Sequence, residues 1–280
     1  MWQKQFGTAP DASGLSVVQT TDGGYVISGT SGAVESSSVL VAKFSATGDI
    51  LWQKTYGTGY EDLGESVQQT ADGGFIVGGE IVLIKPNAST PSEGLLLKLD
   101  PQGNIQFQDV FNAGTFFDVN GFPEMASSEV TSVQAASDGS IFLAGRDDPL
   151  AGPGGSGPEE SWLVKTDANG NVSWQHVFFT ASAGFSLFNA MRLTSDGGMI
   201  AAGTTDAFDH SDNFWLVKTD ASGNVAGGQC TAQGNGTNTT EQTGPLTAAT
   251  SSFPNVTLSN TSAATPDTSA NTSLVTQAVC

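Results

Sequence analysis

Polar and apolar positions alternate along this chain in short bursts, and the bursts recur. The stretches "SVVQTTDGGYVISG" (16–29), "SVQQTADGGFIVGG" (66–79), "SVQAASDGSIFLAG" (132–145) and "AMRLTSDGGMIAAG" (190–203) each place two such runs around an Asp-Gly pair. A period of two puts one face of each run toward a core, which predicts strands. The Asp-Gly pairs, at Asp22, Asp72, Asp138 and Asp196, stand where a tight hairpin needs positive φ. A second set of runs follows, "VLVAKFSATGDI", "LLLKLDPQGNI", "WLVKTDANGNV" and "WLVKTDASGNV", and then a third, "LWQKTYG", "QFQDVFN" and "SWQHVFF". Each unit therefore reads as a four-stranded antiparallel meander, and no useful length of chain carries a helical period.

A single meander cannot bury both of its faces, whereas several packed radially can. The pattern predicts an all-β fold, a β-propeller of about four four-stranded blades. The repeats cover about 1–50, 51–105, 106–172 and 173–225, and a Thr/Ser/Asn-rich tail occupies 226–280. The fourth unit lacks its outer strand, because "GNVAGGQC" stands where the first unit has "GDILWQKTYG". The N-terminal "MWQKQF" matches the missing piece. Trp2, Gln3, Lys4, Gln5 and Phe6 are therefore expected to complete the last blade, or that of a neighbouring copy by strand donation.

These three landmarks resemble the units of a family of secreted β-propeller repeat proteins of bacteria and archaea. Those units read approximately W-x-K-T-[YF]-G, then S-[VI]-x-x-T-x-D-G-G-[YF]-[VI]-[VI]-x-G, then W-[LV]-[VL]-K-[LT]-D-x-x-G-N. The resemblance covers residues 1–225, closely in the first, second and fourth units and more loosely in the third. It extends to members whose repeats precede a Thr/Ser/Asn-rich tail lying between two cysteines. It implies a propeller fold and a secreted or surface location, and no assigned activity.

Charge narrows the function classes. With 28 acidic against 9 basic residues the formal net charge is -19, which repels nucleic-acid phosphates and anionic membrane surfaces. The longest aliphatic run is the "IVLI" at 81–84, far short of the roughly 18 residues of a membrane span. The start lacks the basic and apolar regions of a signal peptide, so an extracellular or cell-surface reading takes the chain as a mature form. Seven N-x-[ST] sequons, at Asn87, Asn171, Asn235, Asn238, Asn255, Asn260 and Asn271, support that location as candidate glycosylation sites.

The only cysteines, Cys230 and Cys280, bracket the tail as a loop-closing disulfide would in an oxidising compartment. Closing that loop contributes about 4 kcal/mol on the chain-entropy model. Tail residues 226–280 carry two charges, Glu241 and Asp267, and one aromatic, Phe253. So few large apolar groups suit a disordered, glycosylated stalk. A cysteine at the last position argues instead for extended strands lying along the propeller or a neighbour.

Candidate chemistry is sparse. Lys43, Lys98, Lys165 and Lys218 recur just before the second turn and are expected to pair with turn carboxylates or carbonyls, a cationic ring about the axis being the alternative. Two histidines, His176 and His210, adjoin no nucleophile pattern. The loop "DAFDHSD" gathers Asp206, Asp209 and Asp212, oxygen ligands of the type calcium takes but without the spacing of a known calcium loop. Glu159 and Glu160 are a candidate acid pair for glycoside hydrolysis. The expectation that emerges is a non-enzymatic structural or adhesive surface protein whose partners are copies of itself. A carbohydrate-binding propeller, with glycans near the insertions at 80–94 and 146–160, and a glycoside hydrolase are the alternatives.

Overall fold

A computed structural model describes residues 2–4, 11–33, 37–58, 61–82, 92–112, 115–117, 123–125, 127–148, 160–179, 185–206, 212–225, 240–242, 247–249 and 261–262. The described chain is all β, in four antiparallel blade-like sheets. The first blade holds β1 (Ala12–Gln19), β2 (Tyr25–Ser31), β3 (Ser38–Phe44) and β4 (Ile50–Tyr56). The second holds β5 (Asp62–Gln69), β6 (Phe75–Val82), β7 (Ser92–Leu99) and β8 (Ile105–Asn112). A short hairpin, β9 (Thr115–Phe117) with β10 (Pro123–Met125), precedes the third blade. That blade contains β11 (Ser127–Ala135), β12 (Ile141–Asp148), β13 (Glu160–Thr166) and β14 (Val172–Phe179). The fourth has three described strands, β15 (Ser186–Leu193), β16 (Met199–Thr205) and β17 (Asn213–Lys218).

Each blade follows its sequence pattern closely. The residue after the turn aspartate takes positive φ, as at Gly23 (81°), a conformation only glycine adopts without strain. The next glycine is required for a different reason: a Cβ on Gly24 would lie 2.2 Å from the Phe44 carbonyl oxygen. The first strand of every blade carries a bulge at the same place, between Gly14 and Ser16, Gly64 and Ser66, Val130 and Ser132, and Phe188 and Ala190. Such an extra residue bends the strand and increases its twist.

Apolar cores lie between consecutive blades rather than within them. Val26, Val39 and Val41 of the first blade meet Val67, Phe75, Val77 and Leu97 of the second. Ile76 and Leu96 of the second meet Val130, Val133, Leu143 and Trp162 of the third. Phe142 and Leu163 of the third meet Phe188, Met191, Met199 and Trp215 of the fourth. The bulge serine of one blade also accepts a hydrogen bond from the first strand of the next: Val67 N to Ser16 Oγ (3.3 Å), Val133 N to Ser66 Oγ (3.1 Å) and Met191 N to Ser132 Oγ (3.2 Å). No comparable core joins the fourth blade to the first among the described residues.

Three tail segments add short outer strands in descending blade order. The strand β18 (Thr240–Gln242) pairs with β14, β19 (Thr247–Ala249) with β8, and β20 (Thr261–Ser262) with β4. The tail thus runs back along the array, covering backbone edges that water or another chain would otherwise meet.

Candidate functional site

The recurrent lysines sit in locks at the first turns. Lys43 Nζ donates to both oxygens of Asp22 (3.1 and 2.9 Å) and to the Phe44 carbonyl (3.0 Å), while Thr20 Oγ1 and Gly24 N donate to the same carboxylate. The hydrogen bond from Thr20, then Lys43 and Gly24, hold Asp22 well below the usual carboxylate range. In the second blade partial burial raises Asp72, but Lys98, Thr70 and Gly74 outweigh it and leave the group at about 2. Lys218 and Asp196 repeat the lock at 2.7 Å. The third blade departs from it: Ala136 replaces the turn threonine and Lys165 lies over the Phe142 ring, 5.1 Å from its centre. The three ion pairs of Lys43, Lys98 and Lys218 fasten turns.

A second motif stitches each blade to its successor. Trp52, on β4, lies on the second turn of blade 2, where a Cβ on Gly103 would come within 2.9 Å of its ring. Its Nε1 donates to the Pro101 carbonyl (3.1 Å) and its ring meets Phe75 edge-on at 5.8 Å. Two residues on, Lys54 Nζ donates to Asn104 Oδ1 (2.8 Å). His176, at the equivalent place on β14, lies 2.9 Å from the Ser222 carbonyl oxygen. Asp109 is the exception on β8. It is buried, its Oδ2 has no hydrogen-bond partner, and burial, then repulsion by Asp167, raises it to about 6.

The N-terminal residues repeat this stitch on blade 1. Trp2 lies against Gly48, where a Cβ would approach its ring to 2.9 Å; its Nε1 donates to the Ala46 carbonyl (3.1 Å), and its ring meets Tyr25 edge-on at 5.9 Å. Lys4 pairs with Asp49 at 2.7 Å. Trp2 and Lys4 therefore stand where the fourth strand of a preceding blade would stand. Among the described residues β17 carries no fourth strand. Trp2 and Lys4 are held by the first blade, and among the described residues the faces that closure would join are both bare. Gln5 and Phe6 lie outside the described residues, and Gln3 is exposed.

Those faces are identified by register. Val17 is 66% exposed, whereas its counterparts Val67, Val133 and Met191 are 6%, 0% and 1% exposed. At the other end Leu216 is 51% exposed, while Val41, Leu96 and Leu163 at the same position are completely buried. Phe214, two residues before Leu216 on β17, extends the exposed patch there. Sequence reasoning found the N-terminal segment but missed both faces, because exposure depends on a neighbour.

An acidic cluster between blades 2 and 3 also escaped the sequence. Burial, followed by hydrogen bonding to and repulsion by Glu129, pushes Glu65 well above its usual range. Burial, then Glu129, raises Glu80, while Arg146 donates from Nε to Glu129 Oε2. Arg146 also pulls Glu65 and Glu80 down, by less than burial and Glu129 push them up. Asp62 is fully buried, receives Thr58 N (2.7 Å) and Thr58 Oγ1 (3.0 Å), and is raised by burial to about 6.

The remaining sequence candidates are scattered. Asp206 accepts a bond from Phe185 N (2.6 Å), Asp212 is exposed, and Asp209 and His210 lie outside the described residues. No group of three or more His, Cys, Asp or Glu side chains gathers in a metal-holding arrangement among the described residues. Glu160 is half-buried and raised by burial, and Glu159 lies outside the described residues with most of both insertions. Asn171 is exposed at a turn tip, its Nδ2 donating to Asp167 Oδ2 (2.8 Å). Asn87, Asn235, Asn238, Asn255, Asn260, Asn271, Cys230 and Cys280 lie outside the described residues.

No protein-family model and no curated protein matches the chain. Among solved structures, the crystal structure of Chaetomium thermophilum Sqt1 aligns over 75% of this chain and 73% of that one, with 9% sequence identity and a TM-score of 0.26. No helix among the described residues is long and apolar enough to cross a membrane.

Proposed function

We propose that this protein is a non-enzymatic extracellular structural or adhesive surface protein that assembles with copies of itself. The observation that supports it most is the pair of bare apolar faces, at Val17 and at Leu216, on opposite ends of one blade array. Exposed apolar patches of this type mark interaction sites. The shifted titratable groups support a non-catalytic reading, since the low ones sit in turns and most of the high ones lie in blade joints. An extracellular location rests on the sequons and the cysteine-bracketed tail.

Light scattering and negative-stain imaging of the protein across a range of concentrations test the reading. Concentration-dependent growth into elongated or layered assemblies is expected. A strictly monomeric particle at every concentration and salt level would overturn it.

A further inference from the structure

We infer that copies join head to tail by continuing the blade-to-blade packing, so that the first blade of one copy seats on the fourth blade of the next. The inference rests on the self-assembly reading above and specifies its joint.

The internal joints supply the template. In each of them the first strand of the following blade lays its bulge-adjacent apolar residue on a face formed by the middle strands of the preceding one. Val67, Val133 and Met191 do this in turn, and Val17 is the fourth residue of that series, left bare. The receiving positions are Val41, Leu96 and Leu163, and Leu216 completes that series, also bare. One chain thus carries an unfilled head and an unfilled tail of the same interface. Two such surfaces on different copies are complementary, and a contact between unlike surfaces propagates into a fibre unless its rotation closes a ring.

The N-terminal segment supplies the missing strand. Within a blade, Lys43 lies opposite Trp52, Lys98 opposite Phe107 and Lys165 opposite Trp174, while Val41, Leu96 and Leu163 lie opposite Lys54, Asp109 and His176. The same register on β17 places Trp2 of the incoming copy opposite Lys218 and its Lys4 opposite Leu216. Trp2 and Lys4 are already fixed on their own first blade by Ala46, Gly48 and Asp49, so that blade and its strand arrive together. Preorganisation of this kind lowers the ordering cost of association.

One difference sets the end joint apart. The bulge serine that accepts a backbone hydrogen bond at each internal joint is replaced on the fourth blade by Ala190. The end joint forgoes that bond and is weaker than the internal ones. The net charge of -19 adds repulsion between copies, which salt screens.

Two variants of the full chain test this joint. Val17→Asp blocks the head, and the pair Phe214→Ser and Leu216→Asp blocks the tail. All three positions are exposed, so circular dichroism and melting should match the parent. Each variant alone is expected to remain monomeric, its self-association weakened ~100-fold or more by a buried unpaired charge. Mixed in equal amounts they should give dimers and nothing longer, because each retains the half the other lacks. Ala190→Ser in the parent should tighten assembly about fivefold by restoring one hydrogen bond.

If either blocked variant grows as the parent does, or the mixture stays monomeric while the parent assembles, the head-to-tail joint is wrong and the self-assembly reading stands. An unchanged association in Ala190→Ser means that β1 does not seat on β15. A parent that is itself monomeric removes both conclusions.

Discussion

Val17 and Val133 hold the same register in strands that read "SVVQ" and "SVQA", and both follow a bulge. Val133 is sealed by the second blade and Val17 faces water. Intrinsic strand preference is equal at the two sites, so the difference lies in what stands across the joint. In an array of blades, burial is a property of pairs of units, and an end unit keeps an interior residue with nothing to pack on.

Substitutions that treat the two sites alike should therefore give unlike results. Val133→Asp places a charge in the joint between blades 2 and 3 and is expected to cost more than about 4 kcal/mol, unfolding the protein or leaving it insoluble. Val17→Asp is expected to stay within about 0.5 kcal/mol of the parent. Urea denaturation followed by circular dichroism compares them, and equal losses would mean that the head of the array is covered in solution.

The two tryptophan stitches give the next contrast. Trp52→Ala removes a ring packed between two blades and is expected to cost about 3 kcal/mol. Trp2→Ala removes a half-exposed ring resting on one blade and should cost roughly 1 kcal/mol in the monomer. Thermal melts of both variants at low protein concentration separate these values, and a larger loss for Trp2 would show that it closes a joint within its own chain.

Asp109 distinguishes the joint between blades 2 and 3 from its neighbours, since Lys4, Lys54 and His176 stand at its position elsewhere. A carboxyl raised to about 6 by burial binds its proton more tightly folded than unfolded. Its favourable contribution is complete below about pH 4 and is lost as pH rises through 6. Asp109→Asn should raise stability by about 1 kcal/mol at pH 7 and change little at pH 4. A gain of equal size at both pH values would exclude titration as the cause.

The turn locks should give the smallest effect. Lys98 is nearly buried and Lys218 is partly exposed. Lys98→Met should lower stability by about 1 kcal/mol and Lys218→Met by less than about 0.5 kcal/mol. Because Asp72 is held near 2, the contribution of its lock is present above about pH 4 and fades as pH falls toward 2. Acid titration of the Lys98→Met variant, which should have lost part of that slope, checks the sign.

Much of the blade is legible in the chain because its signals are local. Alternation marks β2 and β16, the Asp-Gly pair marks the first turn, and the lysine before the second turn marks the lock, each within about 25 residues of its partner. The tail was legible as extended segments, but its backward path across β14, β8 and β4 was not, since no residue in "TEQ" or "TAA" names its partner strand. Asp109 and the cluster of Glu65, Glu80 and Glu129 were invisible for a related reason. The raised proton affinity of Asp109, Glu65 and Glu80 arises where two blades meet, from residues up to 64 positions apart (Glu65 and Glu129).

By itself the sequence determined the strands, the turns and the repeat, because hydrogen-bonded hairpins and period-two burial are written in neighbouring residues. It also determined that the N-terminal segment has the chemistry of a fourth strand. Only the tertiary structure decided that Trp2 and Lys4 rest on the first blade and that, among the described residues, Val17 and Leu216 are left exposed. Those outcomes turn on how successive blades are placed against one another, a geometric sum over three joints that no single repeat contains.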